Sequence, residues 1–429
     1  MRGRPDEVVV ALADRLNGPG TEALAGLSDH EILAAWEDTV VTFLDPGSPE
    51  RREIQDGLVR NTLLSPAGLG AGLEAVLGGV RGEPAARLFA EAAGLRRSRQ
   101  EAAGFALVVL SSNLPALAVQ PLLPALAARR PVLLKSPSAE PLFAPAFVRA
   151  LTRRLPALAP ALAALTWPGG DEALEAPLLQ RAGVVLAYGD EETVADLERR
   201  TAKAGGARFV AYGPKTSLAV IGRDAVAGRT GPAGESEWSR SPAREVVRGI
   251  ARDVALFDQR GCLSIAAVYV EGDEAAARPL ADALAAELAR LARELPPGPA
   301  DPAAAAAVQQ LRADSDLRGL HRPRLATDSG EPPPLAAGTV IVDRDPAFRP
   351  TPGLRTVRIH PLPDLARLPQ ILAPWRGRLQ GTALAGTAAA TLAPSLTELG
   401  VSRITPPGDL QRPDALWHNG GVSPLAILI

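Results

Sequence analysis

Only one cysteine, Cys262, occurs in the 429 residues. An intrachain disulfide is therefore excluded, and so is a cysteine-rich metal site. The four histidines (His30, His321, His360 and His418) stand far apart, and no two have metal-ligand spacing. No metal is expected. Lysine is nearly missing too: of 46 basic residues only Lys135, Lys203 and Lys215 are lysines. Alanine, arginine, glycine and proline are abundant, as a compositional bias would leave them. A lysine kept against that bias marks a place where a compact point charge is used instead of a planar fork. The net charge of −2 gives no general attraction to nucleic acid or to an anionic membrane. No signal-peptide apolar core follows Met1, so a cytoplasmic location is expected. The stretch from Phe105 to Ala128 carries no charge and is long enough to span a bilayer. It also holds Ser111, Ser112, Asn113, Gln120 and three prolines, which fits a buried strand, a polar turn and a helix better.

The length suggests two or three packed domains. Residues 1–100 read as mostly helical, with breaks near Pro46 and at Ser65-Pro66. Strand-like apolar runs then alternate with helical stretches. The runs are 105–110, 131–134, 184–188 and 208–212; the helices are 114–128, 141–154 and 191–203. Such alternation implies a parallel sheet covered on both faces. Residues 224–242 read as an exposed Gly/Ser/Pro-rich linker. Ser241-Pro242 resembles a helix start. A strand over 264–270 and a helix over 274–294 follow, and 296–334 reads as a loose, Pro-rich insertion. Gly68 to Gly72 reads as a Gly-rich loop.

Ligands of parallel sheets sit at the carboxyl ends of the strands. Asn113 follows the first run and can donate to a developing oxyanion. Lys135 follows the second, suited to a cofactor ribose or phosphate. Gly189 and Gly213 follow the third and fourth, where a missing side chain lets a cofactor approach. Cys262 lies in a turn between a helix and a strand, where a thiolate can serve as nucleophile. Taken alone, a single cysteine is more often inert core filling. Its company shifts that balance, because two of three lysines also stand close behind strands.

These segments resemble the aldehyde dehydrogenase superfamily and, within it, the acyl-CoA reductase family that includes the fatty-acid reductase of bacterial luminescence. The similarity lies in Ser111-Ser-Asn-Leu-Pro115, Pro131 to Ser138, Tyr212 to Ser217, Asp253 to Ser264, Arg378 to Ala385, and Pro406 to the Trp417-His-Asn-Gly-Gly421 turn. It covers roughly residues 100–429. The resemblance implies an α/β fold with a Rossmann-type cofactor-binding domain and an α/β catalytic domain. The divisions expected are 1–223 (helices and cofactor domain), 224–242 (linker), 243–405 (catalytic domain) and 406–429 (C-terminal segment). It implies NAD(P)H-dependent reduction of a fatty acyl thioester to an aldehyde through an acyl-cysteine. Cys262 and Asn113 would be catalytic, and Lys135, Ser138, Gly189, Gly213 and Lys215 would bind cofactor. The donor would be acyl-CoA or an acyl-protein, with an acyltransferase or carrier protein as partner, and the enzyme a homo-oligomer.

The departures refine the expectation. Hydrolytic members carry a glutamate where this chain has Ala211, and without a base water is poorly activated. Ser138 stands where NAD-preferring members often have glutamate; a hydroxyl does not repel a 2′-phosphate, so NADPH is expected, with NADH as the alternative. The family's Glu-x-Phe-Gly-Pro has Pro352 to Arg355 in its place, and its Gly-Ser-Thr turn reads Gly189-Asp-Glu191. His418 reads equally as a residue near the thiol or as packing. Two other readings stay open: a non-redox acyl carrier or acyltransferase using the same cysteine, and a degenerate scaffold of the same fold.

Overall fold

The computed structural model describes residues 5–98, 103–226, 242–324 and 337–429. The apolar runs form strands because nothing polar interrupts them and both faces can be buried. The first sheet contains β1 (Phe105–Val109), β2 (Val132–Ser136), β3 (Leu162–Thr166), β4 (Ala182–Tyr188) and β5 (Arg208–Tyr212), all parallel, in the order β3-β2-β1-β4-β5. Alternation divides β1 between two cores. Ala106 and Val108 face the helices Asp29–Leu44, Val119–Ala127 and Phe143–Arg154, whereas Phe105, Leu107 and Val109 face Pro5–Arg15, Glu172–Arg181 and Glu191–Ala204. The strand order reverses between β1 and β4, the place where open sheets of this kind hold ligands.

The second sheet contains β6 (Thr216–Ile221), β7 (Ile265–Glu271), β8 (Thr339–Val342), β9 (Thr356–Leu362), β10 (Leu379–Ala385) and β11 (Arg403–Thr405). It is also parallel, in the order β11-β10-β6-β7-β9-β8. Helices Pro242–Ala255 and Glu274–Glu294 cover one face, and the segment from Leu365 to Leu399 covers the other.

Several expectations shift. β6 was assigned with the cofactor domain ending at 223, yet it pairs with β7 and β10 in the second sheet. The chain crosses between sheets at 213–215, and the Gly-Pro there hides the crossing in what reads as an ordinary strand end. The C-terminal segment 406–429 does not stand apart: Ala415, Leu425, Ile427 and Leu428 pack into the core of the first sheet. Gly68 to Gly72 lies in the helix Pro66–Gly78, and a Cβ on Gly72 would stand 2.5 Å from Cε1 of Phe257. The glycine clears space for that ring. Within 296–334, Pro302–Leu317 is a helix capped by Asp301; its alanines make it a helix despite the prolines around it. Most of the expected linker, including Ser241, lies outside the described residues, as do 325–336. The early breaks are helix starts: Ser48 and Ser65 cap Pro49–Thr62 and Pro66–Gly78. Among the described residues no single helix is long and apolar enough to cross a membrane.

The turn that carries Cys262 is held by an unusual strap. Phe257, Asp258 and Gln259 are consecutive left-handed residues (φ 57°, 50° and 64°). Each costs on the order of 1–2 kcal/mol without glycine. A second left-handed pair, Leu354-Arg355, faces them (φ 52° and 56°). The Arg355 guanidinium donates to Asp258 Oδ1 at 3.0 and 2.6 Å, and both residues are buried. Asp258 Oδ2 accepts from the N–H of Gly298 (2.9 Å). The Gln259 amide donates to the carbonyls of Ile265 (2.7 Å) and Thr356 (2.8 Å) and accepts from the Thr356 N–H (2.7 Å). The Phe-Asp-Gln sequence thus ties the cysteine turn to the start of β9.

A second tie runs through Asp253, four residues before the strap on the helix Pro242–Ala255. Its carboxyl accepts from the Gly408 N–H (2.7 Å), and Gln411 bridges its carbonyl (2.9 Å) and the Ser264 hydroxyl (2.6 Å). One turn earlier, Gly249 lies so close that a Cβ would meet the Pro407 carbonyl oxygen at 2.3 Å. Burial pushes the Asp253 carboxyl up to about 7, against the pull of the backbone N–H groups of Gly408 and Gln411.

Two outcomes are expected. Arg355→Met leaves a buried carboxylate without its cation and should cost about 3–5 kcal/mol in urea unfolding; the double variant with Asp258→Leu should recover much of that loss. For Asp253, the folded group holds its proton up to about pH 7 whereas the unfolded group loses it near 3.8. Stability from this group is full below pH 4 and falls as pH rises toward 7, by on the order of 4 kcal/mol. Thermal melts of Asp253→Asn should lack that part of the pH dependence.

Candidate active site

A cleft of about 660 Å³ lies between the two sheets. The first sheet contributes the residues after its carboxyl ends: Asn113 after β1, Gly189 after β4, and Gly213 to Lys215 after β5. The second sheet contributes its amino ends: Cys262 before β7, Gly353 before β9, and Gln380 in β10. Five of the seven residues proposed from sequence therefore line one cleft: Cys262, Asn113, Gly189, Gly213 and Lys215.

Cys262 is fixed through its backbone. The Ser217 hydroxyl donates to the Cys262 carbonyl at 2.7 Å. The thiol keeps partial exposure to the cleft. Burial pushes it up to about 11, opposed by its own N–H, by the Lys215 ammonium and by the Leu263 N–H. At rest it is a thiol. Asn113 is tethered to the same turn: its amide donates to the Arg260 carbonyl (3.1 Å), and its oxygen accepts from the Ser111 hydroxyl (2.6 Å). Its second N–H and the Cys262 N–H are the donors available to an oxyanion beside the sulfur.

The cleft is poor in bases. Among the described residues lining it, Asp190 is the one carboxylate. It caps the helix Glu191–Ala204 by accepting from the Thr193 N–H (2.7 Å), and that bond holds it below the usual range. Ala211 is exposed at the end of β5 and lies outside the lining. His418 is exposed and also outside it, although its neighbours Trp417 and Asn419 line the cleft.

Lys135 and Ser138 lie beyond the cleft lining, at the end of β2. Lys135 is 7 % exposed and stands over the Trp167 ring, 5.9 Å from its centroid. Burial lowers its pKa, opposed by Glu175, which accepts from the Trp167 N–H (2.9 Å) and pairs with Arg200. Ser138 is exposed. Glu140, two residues on, is turned inward: its carboxylate accepts from the N–H groups of Leu142 (2.9 Å) and Phe143 (3.0 Å).

Sequence reasoning missed the aromatic floor. Tyr188 and Tyr212 stack with ring centroids 4.4 Å apart and line the cleft. Burial raises Tyr188 well above its ordinary value and Tyr212 to about 12, so both are neutral donors. Asn419 accepts from the Gln380 amide (2.8 Å) and joins that floor to β10. The signal was present, since the chain has three tyrosines and two are these. Gln259, Gln411 and Ser217 carried no such mark.

The family model of acyl-CoA reductase (LuxC) matches residues 89–429. No curated protein sequence matches the chain. Solved structures are similar in fold. Lactaldehyde dehydrogenase from Escherichia coli superposes with a TM-score of 0.65 at 14% identity, covering 95% of this chain and 83% of its own. Aldehyde dehydrogenase 21 from Physcomitrella patens, in complex with the reaction product succinate, gives 0.66 at 14% identity, covering 94% and 82%. A cysteine-to-alanine mutant of indole-3-acetaldehyde dehydrogenase from P. syringae, in complex with NAD+ and IAA, gives 0.64 at 14% identity, covering 93% and 80%. The two parallel sheets with a cleft between them are thus an aldehyde dehydrogenase fold. With four fifths of its length matched by the one family model, the chain belongs to the acyl-CoA reductase (LuxC) family and is an aldehyde-forming oxidoreductase.

Proposed function

We propose that this protein reduces a fatty acyl thioester to an aldehyde through an acyl group held on Cys262, with NADPH as reductant. The observation that carries this reading is a cleft that holds a thiol beside the Asn113 amide and, among the described residues lining it, no carboxylate free to activate water. The Cys262 sulfur adds to the thioester carbonyl, and Asn113 and the Cys262 N–H hold the oxyanion. The donor thiol departs and leaves the acyl-cysteine. With Asp190 engaged as a cap and no other carboxylate among the described residues lining the cleft, hydrolysis to a free acid is slow. A reduced nicotinamide, when bound, supplies the hydride that lets the Cys262–carbon bond break with release of aldehyde.

The residues at the end of β2 suit such a cofactor. Lys135 forms no ion pair among the described residues beyond the field of Glu175, and Ser138 offers an exposed hydroxyl. Glu140, two residues beyond Ser138, turns its carboxylate inward onto backbone N–H groups and away from a 2′-phosphate. Gly189 and Gly213 leave the adjoining strand ends open. The donor is an acyl-CoA or an acyl-protein.

Intact-mass analysis after incubation with a panel of acyl-CoAs should show one acyl adduct on wild type and none on Cys262→Ala. Addition of NADPH should discharge the adduct with formation of aldehyde. Equal behaviour of the two proteins would end this reading. An adduct that forms but passes only to other thiols or amines, with no NADPH oxidised, would favour a non-redox acyl carrier.

A further inference from the structure

The cleft gathers five charged or titratable side chains around Cys262: Tyr188, Asp190, Tyr212, Lys215 and Arg260. Four of them are committed or neutral. Asp190 caps a helix. The Arg260 guanidinium is spent on the carbonyls of Thr62 and Leu63. Burial keeps both tyrosines protonated. That leaves Lys215.

Lys215 ends the crossing at 213–215, directly before β6, and lines the same cleft as Cys262. It stands two residues before Ser217, whose hydroxyl holds the Cys262 carbonyl. Its ammonium rests against the Gly-rich turn at 419–421, where a Cβ on Gly420 would stand 3.6 Å from Nζ. Cys262 is the one titratable group whose charge acts on it. A cofactor phosphate is not needed to explain a cation here.

We propose that Lys215, which the sequence assigns to cofactor binding, is instead the charge partner of the Cys262 thiolate. This rests on the reading of Cys262 as nucleophile and deepens it. The step it serves is redox-neutral. The Cys262 S–H gives its proton to solvent, and the thiolate forms beside the Lys215 ammonium. The sulfur–carbon bond forms, the bond to the donor sulfur breaks, and the departing thiolate takes a proton from water as it leaves. Lys215 remains an ammonium throughout. A thiolate that must exist in surroundings that favour the neutral thiol depends on that one cation.

With one cysteine in the chain, alkylation by iodoacetamide reports Cys262 alone. The alkylation rate against pH is measured by intact mass, without cofactor, on wild type, Lys215→Met, Lys215→Gln and Lys215→Arg, each checked for folding by its thermal melt. The expected result is a rate at pH 8 about tenfold lower in the Met and Gln variants, with the inflection moved upward. Lys215→Arg should stay close to wild type, because it keeps the charge. NADPH binding, followed by fluorescence, should change less than twofold in all three. An unchanged alkylation profile in folded Lys215→Met or Lys215→Gln overturns the assignment. So does a tenfold loss of NADPH affinity with thiol reactivity intact. If the alkylation result holds while no acyl-CoA acylates the wild type, the reading of the function fails and the charge partnership stands.

Discussion

The Asp258–Arg355 ion pair is the constraint on which the rest of the site depends. It joins two stretches of backbone held in the left-handed conformation that ordinary residues avoid. A hydrophobic pair of equal volume could fill the same space at similar stability. It could not also accept from Gly298 and donate to Leu295, as this pair does. The ion pair is thus better understood as fixing one conformation than as adding stability. Cys262 follows three residues after the strained run, and its position relative to Asn113 inherits that precision.

The cleft's chemistry comes as much from what is engaged as from what is present. Asp190, the one carboxylate among the described residues lining the cleft, is turned onto the Thr193 N–H, and beyond the lining Glu140 and Glu175 are likewise engaged by backbone and side-chain donors of their own domain. A free carboxylate in the cleft could act as a general base. Here the local hydrogen bonds remove that capacity without removing the residues. The aromatic floor works in the same direction, since two stacked phenols exclude water yet bring no base.

Most of the first sheet was legible in the sequence, because its strands are continuous apolar runs ended by polar turns. β3 was not read, since Leu162–Thr166 is half exposed at the sheet edge and lacks that pattern. β6 and β8 to β11 went unread: β8 and β11 are only four and three residues long, and Pro361 and Gly381 interrupt the apolar runs of β9 and β10. Cys262, Asn113 and the strand-end glycines, singled out by rarity and position, line one cleft. The strap was not singled out, because a left-handed Phe-Asp-Gln has no glycine to announce it. Family resemblance marked the motif but not its shape. Lys215 stood out for its scarcity, but its place beside the Cys262 turn did not, since nothing in the sequence shows that β5 and β6 belong to different sheets.

The parallel order of the second sheet has a consequence for how the protein is made. β6 lies between β7 and β10, so one of its two partners is among the later segments translated. Ser264 and Gln411, joined by a 2.6 Å hydrogen bond, stand 147 positions apart. At synthesis rates of about 5–20 residues per second, the second arrives roughly seven to thirty seconds after the first. During that interval the cysteine turn exists without Gln411, Trp417 or Asn419 around it, and β6 has an open edge. The ribosome therefore delivers the Cys262 thiol well before its enclosure. An unfinished chain carries that thiol with no built cleft, and the complete cleft is among the last features the folding molecule acquires.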